Sequence, residues 1–232
     1  MKLIKIMLSV IFPCMFAVAN ENVYKSQAGQ DEFVNAHFFH NKEGGLFLDI
    51  GAHDGLSFSN TWFFEKKLGW QGICFEPLPH LYKLLCENRD CICIDACVSA
   101  VCDTVPFLHI DGCDEMLSGL CGTYDQRALN AVMNDIANLG GELKILQLPS
   151  VRIDTILKRY GITHIDFLSL DTEGSELEIL KTFDFSQITI DVITVENNYD
   201  EPYIREFLTS QGFIFVTRLH VDDIYVRQGF VY

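Results

Sequence analysis

The sequence predicts an α/β protein, a doubly wound and largely parallel sheet that ends in an antiparallel hairpin. Two observations carry this. Five short runs are apolar or β-branched throughout, as strands buried on both faces must be, and helix-period patterns lie between most of them. Near the C-terminus, two further runs stand only a few residues apart, too close for a crossover helix and suited to an antiparallel pair.

The five runs are "LFLDI" (46–50), "GICFE" (72–76), "CICID" (91–95), "DFLSLD" (166–171) and "ITIDVITVE" (188–196). Between them, "SNTWFFEKKL", "LPHLYKLLCENR", "VRIDTILKRYG" and "SELEILKTF" read as amphipathic helices, so strand and helix alternate with right-handed crossovers. After "EPYIREFLTSQG", a helix stopped by Gly212, come "FIFVTRLH" and "DDIYVRQ", the edge hairpin. Residues 103–150 break the alternation, with one helix-like piece, "QRALNAVMNDIANL", and are expected to form an insertion over the carboxyl edge of the sheet, shaping an acceptor pocket.

With 232 residues, 49% of them hydrophobic, the chain can bury one sizeable core, so residues 20–232 are expected to form one domain. The formal charge of −15 and the lack of a basic patch argue against a nucleic-acid partner. The first 19 residues combine two early lysines, an apolar stretch interrupted by Pro13 and small residues at Ala17 and Ala19, the pattern of a secretory signal. Export is the expectation, with membrane contact only through this segment if it stays uncleaved, and a cytoplasmic location if it is not functional. Eight of the nine cysteines fall between Cys74 and Cys121 without paired CxxC knuckles, which favours buried thiols or disulfides over a zinc site there.

The stretch "FLDIGAHDG" (47–55) ends the first strand in two acids and two glycines. Gly51 and Gly55 fit neither the dinucleotide G-x-G-x-x-G nor a P-loop, and Asp49 and Asp54 would repel a pyrophosphate. A ligand bearing an ammonium and a sulfonium would instead be attracted, and S-adenosylmethionine is such a ligand. Asp49, Gly51, Ala52, Asp54 and Gly55 are therefore the candidate cofactor loop. Glu76, 25 positions beyond Gly51 (76 − 51) at the tip of the second strand, is the candidate acceptor for the ribose hydroxyls. Asp95 or Ala96, at the third tip, is the candidate border of the adenine.

These residues resemble the FkbM-type methyltransferases. "FLDIGAHDG" resembles their cofactor loop, "GICFEP" their ribose-binding strand and "IDFLSLDTEGSELEIL" their signature segment, while "SQAGQDEFV" and "SNTWFFEKKLGWQG" are similar to a subgroup that includes Star-like proteins. The likeness runs from about Ser26 to Arg227. It implies a Rossmann-like class I methyltransferase sheet of seven strands with one antiparallel, use of S-adenosylmethionine, and methylation of a hydroxyl on a glycan or small molecule. Many members carry a lysine two places before the signature aspartate, where this chain has Ser169. Some Star-like relatives act in protein trafficking, so a non-catalytic role is the alternative.

In "LSLDTEGSELEIL", Ser175 and Glu178 match a capping box, which starts a helix at Glu176 and leaves Asp171 and Glu173 on a strand-end loop facing the same crevice as Asp54. Transfer of a methyl to a hydroxyl needs an aligned acceptor oxygen and a group to take its proton. Asp171 or Glu173 is the first candidate base, with His220 and His53 as alternatives. A divalent ion bridging Asp171, Glu173 and Glu196 is conceivable chemically, but no metal is assigned.

Overall fold

The computed structural model describes residues 23–112 and 114–231; the N-terminal segment read as a signal and Cys113 lie outside them. The chain runs through α1 (Gln30–Val34), β1 (Leu46–Ile50), α2 (Trp62–Leu68), β2 (Gln71–Phe75), α3 (Pro79–Asn88), β3 (Ile92–Ile94) and β4 (Cys97–Val98). It continues through β5 (Thr104–Gly112), β6 (Gly119–Leu120), α4 (Gln126–Leu139), β7 (Gly141–Val151), α5 (Ile153–Tyr160) and β8 (His164–Leu170). It closes with α6 (Glu176–Leu180), β9 (Thr189–Glu196), α7 (Pro202–Ser210), β10 (Phe213–Leu219) and β11 (Asp222–Arg227).

The main sheet has seven strands in the order β10-β11-β9-β8-β1-β2-β3. β1 pairs in parallel with β2 and β8, and β11 is antiparallel to both β9 and β10. This is a doubly wound, Rossmann-like sheet of seven strands with one antiparallel, as the sequence predicts. The expected hairpin is present, with its second strand slotted inside the sheet and β10 at the edge. The strand order reverses between β1 and β8, the place where open α/β sheets hold ligands.

Why the strands read as continuous apolar runs is visible in their alternation. Leu48, Leu168 and Ile193 face a core shared with Ile156 of α5, Ile179 of α6 and Leu208 of α7. Their neighbours Phe47, Phe167 and Val192 face the opposite core, with Phe63 and Phe64 of α2, Trp70 and Leu85 of α3. Both faces are covered, so neither parity of residue can be polar without a partner.

Residues 103–150 hold more strand than the sequence suggested. β5 and β7 form a long antiparallel pair from Thr104↔Pro149 to Gly112↔Gly141, completed by β4 and β6 as a second, four-stranded sheet, with α4 where the helix was expected. Pro106 and Pro149 and a largely solvated face interrupt the apolar alternation that marks a strand. The seven described cysteines are free thiols, the Sγ atoms of Cys74 and Cys91 lying 3.5 Å apart in a thiol hydrogen bond rather than a disulfide.

One buried cation knits the start of the fold together. Arg89, at the end of α3, pairs with Glu65 of α2, donates to Thr61 Oγ1 at 2.9 Å and to the Gly55 carbonyl at 3.3 Å, and lies 3.8 Å from Asp49. Removing one partner of a buried pair strands the other charge. Arg89→Ala is expected to lower stability by about 3–5 kcal/mol, and urea unfolding followed by circular dichroism checks it.

Candidate functional site

A cleft of about 280 Å³ opens at the carboxyl ends of β1, β2, β8 and β9. Its floor is the glycine loop. Gly51 adopts φ +90°, and a Cβ there would sit 1.7 Å from the Asp171 carbonyl oxygen. Only a glycine lets the end of β1 approach the end of β8 this closely. The same contact brings the two acid-bearing loops side by side.

Asp49 is buried beneath that loop, receiving the Thr61 hydroxyl at 2.5 Å. Burial pushes its pKa up to about 6 against the pull of Arg89. Glu76, past the tip of β2, accepts the His53 N–H at 3.1 Å and the Leu78 N–H at 2.8 Å, which fixes its carboxylate at the cleft wall. Burial pushes Glu76 up to about 8, outweighing both amides.

The second wall is the loop after β8. Asp171 stands open to water in the cleft, while protein encloses its other sides; enclosure first, then Asp222 and Glu176, raise its pKa. Glu173 takes a left-handed φ of 60°, a conformation costing an acidic side chain of order 1 kcal/mol, and so turns into the cleft. Burial, followed by Asp171, pushes its pKa up to about 9. Carboxylate oxygens of Asp171, Glu173 and Glu196 lie within 4.8 Å of one another, and Glu196 Oε2 is buried without a hydrogen-bond partner.

Asp222 and Glu115 complete a set of seven cleft carboxyls among the described residues, of which no Lys or Arg lines the cleft and His53 and His220 are the only imidazoles to do so. Such a lining repels phosphate and favours a cation. An apolar strip of Leu78, Leu81, Cys97 and Val98 runs beside Glu76 and would suit a flat heterocycle.

The Methyltransferase FkbM domain model matches residues 49–215. The chain belongs to that family. No curated protein matches the sequence. Among solved structures it is similar to a fibrillarin pre-rRNA processing protein of Methanococcus jannaschii, at 12% identity and TM-score 0.42, covering 92% of this chain and 87% of that one. It is also similar to a precorrin-6y C5,15-methyltransferase of Geobacter metallireducens, at 13% identity and TM-score 0.39, over 84% and 86% of the two chains. A third is M. capricolum TrmK in complex with S-adenosyl-homocysteine, at 12% identity and TM-score 0.37, over 85% and 66%. Likenesses this distant carry no weight for substrate or mechanism, which rest on the residues themselves.

In this FkbM domain, Asp49, Gly51, Ala52, Glu76, Ala96, Asp171, Glu173, His53 and His220 all line the cleft. Asp54, Gly55 and Asp95 do not. Asp54 turns back to cap its own loop, accepting the N–H groups of Leu56 and Ser57 at 2.9 and 2.7 Å. Gly55, at φ +78°, is held by packing, since a Cβ there would meet Leu85 at 2.6 Å. Asp95 falls beyond the short β3 and is exposed.

The helix after the signature loop starts at Glu176, but not through the expected capping box. Glu176 itself accepts the Thr172 N–H at 2.8 Å and the Gly174 N–H at 3.1 Å, while Glu178 pairs outward with Lys181. Sequence reasoning also passed over Asp222 and Gln30. Gln30 Nε2 donates to Asp222 Oδ2 at 2.7 Å, joining the segment before β1 to the C-terminal hairpin at the cleft rim. The signal was present in "SQAGQDEFV" and in the paired aspartates of "HVDDIYV", polar residues beside apolar runs.

Two outcomes follow from this geometry. Gly51→Ala is expected to destabilise by roughly 3 kcal/mol or more, since it meets both the φ penalty and a backbone clash; denaturant unfolding measures it. The folded-state pKa of Glu76, about 8, lies above its ordinary value, so the protonated folded form is favoured and its contribution to stability is lost as pH rises towards 8. The melting temperature of Glu76→Gln relative to the parent should therefore improve steadily from pH 5 to pH 8.5, and a flat difference would refute the assignment.

Proposed function

We propose that this FkbM domain transfers a methyl group from S-adenosylmethionine to a hydroxyl of a glycan or small hydroxylated acceptor. The observation that supports it is the meeting of acids from the tips of β1, β2, β8 and β9 in one cleft that, among the described residues, no Lys or Arg enters. That donor set fits a cofactor carrying an ammonium and a sulfonium. When bound, S-adenosylmethionine supplies a methyl on positively charged sulfur.

The residues have separable tasks. Glu76 keeps free lone pairs on the carboxylate that its two amides orient, and these accept the ribose hydroxyls. Leu78, Leu81, Ala96 and Val98 flank the adenine. Asp49 and the neighbouring acids hold the positive charge. Asp171 or Glu173 orients the acceptor hydroxyl and takes its proton as the methyl transfers, leaving a neutral thioether and a protonated carboxyl. Their raised pKa values bring them towards the operating pH, where a general base is most effective. His220, at the turn before β11, is the alternative proton acceptor.

A second reading is a non-catalytic trafficking protein that kept the fold. The likeness of residues 26–34 and 59–72 to the Star-like subgroup supports it, as does Ser169. Where many members carry lysine, Ser169 is buried and receives Asn60 Nδ2 at 3.1 Å. Residues 1–19 bear on the same choice, because an export signal would remove the chain from the cytoplasmic cofactor supply. Full-length tagged protein recovered in the cytosol would favour the enzyme.

Calorimetry with S-adenosylmethionine separates the two readings. Binding is expected, with loss in Glu76→Ala. Because burial raises the pKa values of Glu76 and Glu173, a cationic ligand should release protons on binding, visible as a heat that varies with the ionisation enthalpy of the buffer. Asp171→Asn should retain cofactor binding while methyl transfer to a hydroxylated acceptor falls about 10²- to 10⁴-fold. Folded protein that binds no cofactor would leave the interaction protein as the surviving reading.

A further inference from the structure

A second constellation lies at the rim of the cleft, built from two histidines outside its lining and from Glu115, a lining acid to which the methyl-transfer reading gives no task of its own. His80 stands in the first turn of α3, His109 on β5, and Glu115 in the single 3₁₀ turn Glu115–Leu117 that follows β5. Both imidazole Nε2 atoms converge on one oxygen, Glu115 Oε1, from 2.7 and 3.0 Å. The two rings lie 5.9 Å apart between centroids, tilted at 50°. One ligand atom from each residue falls within 4.8 Å of the other two. Around a tetrahedral zinc ion with bonds of about 2.1 Å, ligand atoms stand about 3.4 Å apart, so the three atoms close on an ion with small side-chain movements.

The chemistry of the set differs from the other acid clusters of the molecule. Asp166 and Asp191, near His164, already pair with Lys42 and Arg227, and they hold a salt-bridged surface together. Asp171, Glu173 and Glu196 are all carboxylates and belong to the methyl-transfer cleft. At Glu115 both ion-pairing partners are imidazoles, donors that suit zinc and its neighbours rather than magnesium or calcium. The turn is also held in advance. Ser118 Oγ donates to the Glu115 carbonyl at 2.6 Å and accepts the Ile110 N–H at 3.0 Å, and Tyr124 donates to the Leu117 carbonyl at 2.7 Å.

We propose that His80, His109 and Glu115 bind a transition-metal ion of the zinc class, which fastens the β5–β7 hairpin to α3 at the rim of the cleft. The ion would fix the wall formed by Met116, Leu117 and Ser118, all of which line the cleft. It supplies no electrons or protons to methyl transfer. Its task is to hold one side of the binding cleft in place, whichever ligand the cleft takes.

Cobalt titration of the full-length protein tests this, because Co²⁺ reports its ligands through visible absorption and zinc displaces it. One equivalent is expected to bind with a nitrogen–oxygen ligand-field spectrum and no thiolate charge-transfer band. His80→Gln and His109→Gln, each verified as folded by circular dichroism, should each weaken uptake by at least about tenfold. His80 is exposed, so its replacement leaves the core intact. An Asp171→Asn/Glu173→Gln variant should bind cobalt unchanged. Folded parent protein that takes up no cobalt overturns the proposal. So does uptake that survives the double histidine replacement, or a thiolate band assigning the ion to the free cysteines.

Discussion

The loop Asp171–Gly174 is pinned between two backbones that approach it more closely than side chains normally allow, and the cleft depends on that constraint. On one side the Gly51 position lies against the Asp171 carbonyl. On the other, a Cβ at Gly119 would come within 3.2 Å of the Thr172 and Glu173 carbonyls, and one at Gly174 within 2.9 Å of the Thr123 carbonyl. The loop is thus clamped between the glycine turn after β1 and the segment leading into α4. Asp171 and Glu173 project from a rigid seat even though Glu173 occupies a strained backbone conformation.

The clamp gathers acids, and the charges that result need compensation from outside the chain. Beneath the glycine loop, Asp49 has Arg89 and Thr61 as partners. The acids of the open cleft have few such partners, and burial together with mutual repulsion raises their pKa values, most visibly at Glu76 and Glu173. Acids raised in this way give up their protons more readily once a positive charge stands beside them. The same physics accounts for the lack of a phosphate-type glycine loop in the sequence.

The hairpin β5–β7 adds a wall that the doubly wound sheet alone does not provide. Phe107 and Leu120 pack with Leu78, Leu81 and Cys97 into a small core of their own, and Met116 to Ser118 reach the cleft. The hairpin and the segment it encloses meet the main domain through this cluster, through Gly119 and Thr123 against the loop after β8, through Arg127 with Glu201, and through the His80–Glu115–His109 contact. Of these contacts, the imidazole–carboxylate cluster is the one nearest to Met116–Ser118 in the chain.

Several features were determined by the sequence alone. Unbroken apolar runs occur only where both strand faces are covered, so the parallel core, its alternation with helices and the terminal hairpin were legible. That Glu76 and the Asp171–Glu173 pair lie at the cleft was legible too, because the crevice of an open α/β sheet lies outside the carboxyl ends of its strands. What tertiary structure decided is whatever depends on which backbones touch. Asp54 looks equivalent to Asp49 in "FLDIGAHDG", yet it folds back to cap its own loop, since a short acid two residues before free N–H groups satisfies them locally. Glu176 displaced Ser175 and Glu178 as the cap for a similar local reason. The strands of 103–150 escaped notice because half-solvated strands carry weak periodicity. Asp222 and Gln30 stayed hidden because they lie 192 positions apart and only the closed sheet brings them together, and His80 because α3 must pack beside β5 before it meets His109 and Glu115.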